Sequence, residues 1–204
     1  MGNGAVITAD IVNFTRLSSD DQKKLMNIIS SQAKSYKLEF YRGDSFQVYL
    51  KRPNESLKLV IKLRAAAKKI NHGSMMPVAD MRTSIGIGHV NKPVRTLKTA
   101  TSEAFILSGR SFDTIADSAQ RLIIQSVIPS IGPALKVIAY FVDYLMEQMT
   151  SKQAEVVFEL LNGYTQIEVA RILDKSQATI SQHLQASGWS EIEKLLAEFD
   201  SLTS

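Results

Sequence analysis

The sequence contains no cysteine. That excludes disulfides and thiolate metal sites and fits a reducing compartment, the cytoplasm. The first residues, Met1-Gly2-Asn3-Gly4, lack a basic segment followed by an apolar run, so no signal peptide is read. A membrane span is missing too. The most apolar later stretch, Val127 to Met149, is broken by Pro129, Pro133, Lys136, Asp143 and Glu147, whereas a span needs about 20 apolar residues with few charges. There are three histidines. His72 has no second histidine or carboxylate at ligand spacing and reads as a surface residue. No flexible linker separates any two parts of the chain.

What is present is ordinary for a globular protein: 204 residues, 45% hydrophobic and 22% charged. That length suffices for one large domain or two small ones. The net charge of +4 is unevenly spread. Residues 1–149 hold 20 Lys+Arg and 12 Asp+Glu, whereas residues 150–204 hold 4 and 8. General attraction to polyanions therefore belongs to the first part.

The chain is organised around Val6-Ile7-Thr8-Ala9-Asp10-Ile11-Val12-Asn13-Phe14-Thr15. Its apolar and β-branched run predicts a strand covered on both faces, ending on a carboxylate. Ser18-Ser19-Asp20 supplies N-cap chemistry for a helix from about Asp20 to Tyr36. Leu38 to Leu50 reads as two strands around the Gly43-Asp44 turn. If that hairpin lies beside the first strand, Asp44 faces Asp10. Two carboxylates there can hold Mg²⁺ or Mn²⁺ against a nucleotide triphosphate. The backbone N–H groups that follow, at Asn13, Phe14 and Thr15, suit its phosphates. On spacing alone the plainer alternative stays open, in which Asp10 caps a helix and Asp44 is a turn residue.

Downstream, Asn54-Glu55-Ser56 opens a helix with Leu57, Val60, Ile61, Leu63 and Ala67 inward. Lys58, Lys62, Arg64, Lys68 and Lys69 are predicted to be solvated. Asn71-His72-Gly73 ends it. Met81 to Gly88 is a strand, Glu103 to Ile115 a helix, Gln120 to Val127 a strand and Pro129 to Met149 a helix. This alternation predicts an α/β sandwich with a mixed sheet over residues 1–149.

Residues 150–204 read as an all-α domain. Thr150-Ser151 caps a helix from Lys152 to Leu161. Thr165 caps Gln166 to Leu173, and Asp174-Lys175-Ser176 turns the chain into Gln177 to Ala186. This is the helix-turn-helix pattern. Ile167, Val169, Ala170 and Leu173 are expected to pack inward, as are Ile180 and Leu184. The opposite side of the third helix offers Ser176, Gln177, Ala178, Thr179, Ser181, Gln182 and Gln185 to base edges of double-stranded DNA. Arg171, Lys175 and Lys152 are left for the phosphates. The acidic balance of this part favours the competing reading, a protein-interaction module. Ser190 is expected to cap a last amphipathic helix, with Glu193 at its capping-box position. That helix can pair with its copy in a homodimer or cover its own domain.

Ala9-Asp10-Ile11-Val12-Asn13-Phe14-Thr15 resembles the Ala-Asp-Ile-x-Gly-Phe-Thr signature of class III nucleotidyl cyclases. Gly43-Asp44 stands where that family keeps its second metal-binding aspartate. Ile85-Gly86-Ile87-Gly88 and Ala104 to Arg110 resemble its later core strand and helix. Arg42 to Gln47 also resembles the SatD-like proteins, and Gly163 to Leu184 resembles the helix-turn-helix of LuxR-type regulators and sigma-factor region 4. The resemblance implies a palm-like α/β (α+β) sandwich, a metal pair at Asp10 and Asp44 with Ile11, and nucleotide contacts at Asn13, Phe14, Thr15, Gly43 and Arg110. Two positions depart from the pattern. Phe40 stands where the family reads the base, and Ile106 where it keeps an asparagine. The expectation is a regulator whose cyclase-like domain has lost turnover, with Arg110 catalytic only if it has not. The alternative is a divergent metal-dependent nucleotidyl cyclase or nucleotide transferase; a third reading is a protein-binding adaptor.

Overall fold

A computed structural model describes residues 2–41, 43–70, 76–115 and 118–204. The expected turn at Asn71-His72-Gly73 lies outside them. The centre of the fold is β1 (Gly2–Val12). Its residues alternate between two faces, as the pleat requires. Ala5, Ile7, Ala9 and Ile11 enter the main core, while Val6 enters a second, smaller one. Around β1 stand β2 (Lys37–Tyr41), β3 (Ser45–Leu50), β4 (Asp80–Val90) and β5 (Leu122–Ser126). They form one mixed sheet in the order β2-β3-β1-β4-β5. Only the β4–β5 pair is parallel.

Three helices cover the main-core face: α1 (Ser19–Gln32), α2 (Ser56–Lys68) and α4 (Gly132–Gln148). The Ser18 hydroxyl caps α1 by accepting from the Asp21 N–H at 3.1 Å. The helix stops at Gln32, short of the predicted Tyr36. On the opposite face lies α3 (Glu103–Ile115), at its predicted bounds. It sits so close to β4 that a Cβ on Gly86 would meet the Ala104 carbonyl oxygen at 2.3 Å. Glycine is therefore required there by packing.

Past Thr150 come α5 (Ser151–Leu161), α6 (Gln166–Ile172), α7 (Gln177–Ala186) and α8 (Trp189–Thr203). Thr150 and Thr165 each make a reciprocal capping box, with Gln153 and Glu168. Val156, Val169, Ala170, Ile180 and Leu184 form a small core of their own. The main core also continues into this part. Ala154, Val157, Phe158, Leu161, Ile192 and Phe199 belong to the same cluster as the sheet residues. Lys69 of the first part pairs with Glu159 at 3.6 Å and lies 3.8 Å over the Phe158 ring. Asn54 donates to the Asp200 carboxylate at 2.7 Å.

Several expectations need correction. Arg64 and Lys68 are not solvated: both are buried, Arg64 completely. Ile167 does not pack inward but is 49% exposed. Ser190 caps nothing. Gly188, in the left-handed region at φ 67°, is the N-cap of α8, and Ser190 lies inside the helix. Glycine adopts that conformation without the Cβ penalty, so the chain enters the helix two residues before the serine. No helix among the described residues is long and apolar enough to cross a membrane.

Candidate functional site

Sheet pairing builds the site. Asp10 lies opposite Ser45 on β3 and opposite Arg82 on β4. The Ile11 N–H donates to the Asp44 carbonyl at 3.1 Å, which ties the hairpin tip to the end of β1. Gly43 takes φ 85° in that tip, a conformation that favours glycine. The two carboxylates therefore come to one corner of the sheet, as the strand and hairpin signals imply.

Arg82 reaches Asp10 from β4. Its Nε and Nη2 donate to the two oxygens of Asp10 at 2.9 and 2.5 Å, the bidentate geometry in which a planar guanidinium fits a carboxylate best. The hydrogen bond to Asp10 raises the Arg82 pKa, and the charge of Asp44 adds to it. Among the described residues the Asp44 carboxylate accepts from the Ser45 hydroxyl, at 3.3 Å. Beside it opens a cavity of about 430 Å³, lined by Asn13, Phe14, Thr15, Arg16, Asp44, Arg82 and Arg121 with Ile11 and Val12. Asn13 has φ 61° and donates its amide to the Val78 carbonyl at 3.1 Å, which ties the loop after β1 to the segment before β4.

This donor set does not fit a divalent cation as arranged. Both Asp10 oxygens are taken by a guanidinium. No group of three His, Cys, Asp or Glu side chains able to hold a metal occurs among the described residues. With Arg82 held by Asp10, Arg16 and Arg121 stand against the Asp44 carboxylate, a net positive lining that suits an anion instead.

Other predicted residues lie elsewhere. Arg110 is exposed on α3 and does not line this cavity. Ile106 is exposed on the same helix. Phe40 turns to the main-core face, where its ring meets Phe46 at 5.7 Å between centroids. Glu39 is on the Asp10 face, but its carboxylate accepts from the N–H groups of Leu97 and Lys98 at 2.9 and 3.2 Å. No side chain in the position of a base reader is thus free.

On α7, Ile180 and Leu184 are buried, whereas Gln177, Ala178, Ser181, Gln182 and Gln185 are exposed. Arg171, Lys175 and Ser176 are exposed beside them. The Ser176 hydroxyl caps α7 by accepting from the Thr179 N–H at 3.1 Å, and Thr179 is half-buried against it.

Sequence reasoning missed two features. One is Arg82, which strand alternation puts on the Asp10 face only once the β1–β4 register is known. The other is an ionic cluster under the sheet. Arg64 donates through Nε and Nη2 to Asp80, both at 3.0 Å, and through Nη1 to Asp143 at 2.5 Å. Lys68 lies 3.4 Å from Asp80. Asp143 also accepts from the N–H groups of Arg121 and Leu122 at 2.8 and 3.0 Å. Burial works against the Arg64 charge, but Asp80 and Asp143 outweigh it and raise its pKa. Burial lowers the pKa of Lys68 despite Asp80. The cluster joins α2, β4 and α4 and lines a cavity of about 250 Å³ that shares Arg121 with the Asp44 corner.

The sequence matches no protein-family model and no curated protein. Among solved structures, the chain is similar to the active GGEEF domain of a diguanylate cyclase from Vibrio cholerae. There the TM-score is 0.43 and the identity 10%, over 62% of this chain and 84% of that one. It is also similar to a bacterial light-regulated adenylyl cyclase, with TM-score 0.41 and 14% identity over 60% of this chain and 75% of the other. For the guanylyl cyclase Cya2 the TM-score is 0.36 and the identity 15%, over 56% and 73%.

Proposed function

We propose that the chain is a DNA-binding regulator: a palm-like cyclase-type domain, residues 1–149, senses a nucleotide, and a helix-turn-helix domain, residues 150–204, reads the operator. One observation carries the reading. The outward side of α7 offers Gln177, Ser181, Gln182 and Gln185 together, while Ile180 and Leu184 anchor its inward side. Glutamine and hydroxyl groups pair with base edges in the major groove. Arg171, Lys175 and the basic sheet domain supply the phosphate contacts that this acidic part otherwise lacks. The nucleotide's phosphates are held at Arg16, Arg82 and Arg121, with the loop Asn13-Phe14-Thr15 and Gly43 around them.

A second copy supplies the second recognition helix, since half-sites lie roughly 34 Å apart. The face for it is α4, where Val137, Tyr140, Phe141 and Tyr144 recur at helical spacing and are between 47% and 60% exposed. Lys136 and Glu147 stand at opposite ends of that stripe, so antiparallel pairing sets unlike charges together. Sedimentation should show a dimer that Phe141→Arg with Tyr144→Arg dissociates; a wild-type monomer at high concentration would refute this part.

The DNA reading is tested by selecting duplexes from a random pool and titrating the winners at moderate salt. Gln177→Ala with Gln182→Ala should abolish selectivity without changing the melting temperature. Selectivity that survives the pair would remove α7 as the reading helix.

The second reading is an enzyme, a divergent nucleotidyl cyclase or transferase using Mg²⁺ or Mn²⁺. The meeting of Asp10 and Asp44 at one corner favours it. Against it stand the Asp10–Arg82 pair, the inward Phe40 and the exposed Ile106. A cyclic product from ATP or GTP with Mn²⁺, lost in Asp44→Ala, would decide for the enzyme.

A further inference from the structure

A cavity larger than that at the Asp44 corner is found elsewhere among the described residues. It lies where β2 begins and β3 ends, has a volume of about 750 Å³, and is lined by Tyr36, Lys37, Tyr49, Lys51, Arg52, Glu55 and Lys92, with Ser35, Pro93 and Val94. Such a volume holds a drug-sized metabolite. Four of the lining side chains are cationic and one is acidic. Their commitments differ. Lys37 donates to the carbonyls of Val94 and Arg95 and so fixes the 92–95 loop over the cavity. Glu55 pairs with Arg52 at 3.2 Å and accepts from the Tyr36 hydroxyl. Lys51 and Lys92 are exposed and have no ion-pair partner among the described residues.

Tyr49 sets this cavity apart. It is only 7% exposed and its ring stacks on Phe105 at 6.3 Å. Its buried hydroxyl has no hydrogen-bond partner. Burying a hydroxyl without a partner costs stability. A phenylalanine would fill the same space without that cost; the hydroxyl has no accessible surface, so it meets a ligand atom once the cavity wall beside it shifts.

We propose that this cavity is a second ligand site, distinct from the Asp44 corner, for a small metabolite that carries both phosphate groups and a ring. Lys51, Lys92 and Arg52 take the phosphate oxygens, and the Tyr49 hydroxyl donates to one of them. Tyr36, Pro93 and Val94 supply the apolar wall for the ring. No divalent cation is needed, because lysines and arginine neutralise the charge directly.

The test is isothermal titration of the full chain in EDTA, first with ATP and then with inorganic tripolyphosphate and adenosine. The Arg16→Ala, Arg121→Ala background leaves the Asp44 corner only Arg82, which Asp10 already holds, so binding that remains there and falls in the lysine variant reports on this cavity. ATP should bind there more tightly than tripolyphosphate, and adenosine most weakly. Lys51→Ala with Lys92→Ala should weaken ATP about tenfold or more, the loss expected from charged hydrogen bonds. Tyr49→Phe should weaken ATP by a similar factor while leaving the ligand-free melting temperature equal or higher. A purely packing role for Tyr49 would leave affinity unchanged. The proposal is overturned if ATP does not bind in that background, or if its affinity is unchanged in the lysine variant. Equal affinity for tripolyphosphate and ATP would overturn the ring and leave a bare polyanion. Loss of ATP binding only in the Arg16, Arg121 background would speak for the corner site and against this one.

Discussion

At the scale of single residues, the sequence hides its most consequential side chain. Arg64 shares a helix with Lys58 and Lys62, and nothing local distinguishes it from them. Its burial is decided by Asp80 and Asp143, which arrive from β4 and α4. Taking away one partner of a buried ion cluster leaves charges uncompensated, at about 3–5 kcal/mol. Arg64→Met should therefore lower stability by about that amount in urea unfolding, and Arg64→Lys should not restore it, because an ammonium cannot span two carboxylates as the fork does. Burial pushes the Asp80 pKa up, but Arg64, Lys68 and the Met81 N–H more than reverse this and hold it below its ordinary 3.8. The unfolded chain then binds the proton more readily than the folded one. The stabilisation is fully present above about pH 4 and is lost as pH falls through the depressed folded value. Melting temperatures taken from pH 6 to pH 2 should fall more steeply below pH 4 in the wild type than in Asp80→Asn. The Asp10–Asp44 corner was legible from a strand end and a Gly-Asp turn. Arg82 was not, because register is a property of two strands and alternation describes one.

At the scale of elements, local chemistry is well written in the chain where caps are involved. Ser18, Thr150 and Thr165 all cap the helices their positions imply, and Ser176, expected in the turn, caps α7. Ser190 does not, since a glycine that adopts the left-handed conformation upstream starts α8 first. Glycine itself has two opposite roles near α3. A Cβ at Gly86 would meet backbone at 2.3 and 2.5 Å, whereas one at Gly109 meets nothing within 4 Å. Overpacking against backbone costs about 1–3 kcal/mol or more, while alanine in an open helical position gains about 0.5–1 kcal/mol. Gly86→Ala should thus lower the unfolding midpoint and Gly109→Ala should raise it, both read by circular dichroism in denaturant. The two are indistinguishable in the sequence, because only the β4–α3 approach separates them.

At the scale of the whole molecule, two sequence signatures of different period sit side by side, and the sequence marks their junction by the absence of a linker. It does not show that they share a core, because shared packing lies in the facing surfaces of α2, α5 and α8. Calorimetry should show one unfolding transition with matching calorimetric and van't Hoff enthalpies; two separable transitions would contradict the common core. That core also has an order of manufacture. Domains generally fold as units during synthesis, N-terminal part first. Phe158, Leu161, Ile192 and Phe199 are made after the sheet they help to bury. A nascent chain that has finished β5 and α4 still carries an uncovered apolar side on α2. Until α8 leaves the ribosome, the protein is a client for whatever shields such surfaces in the cell.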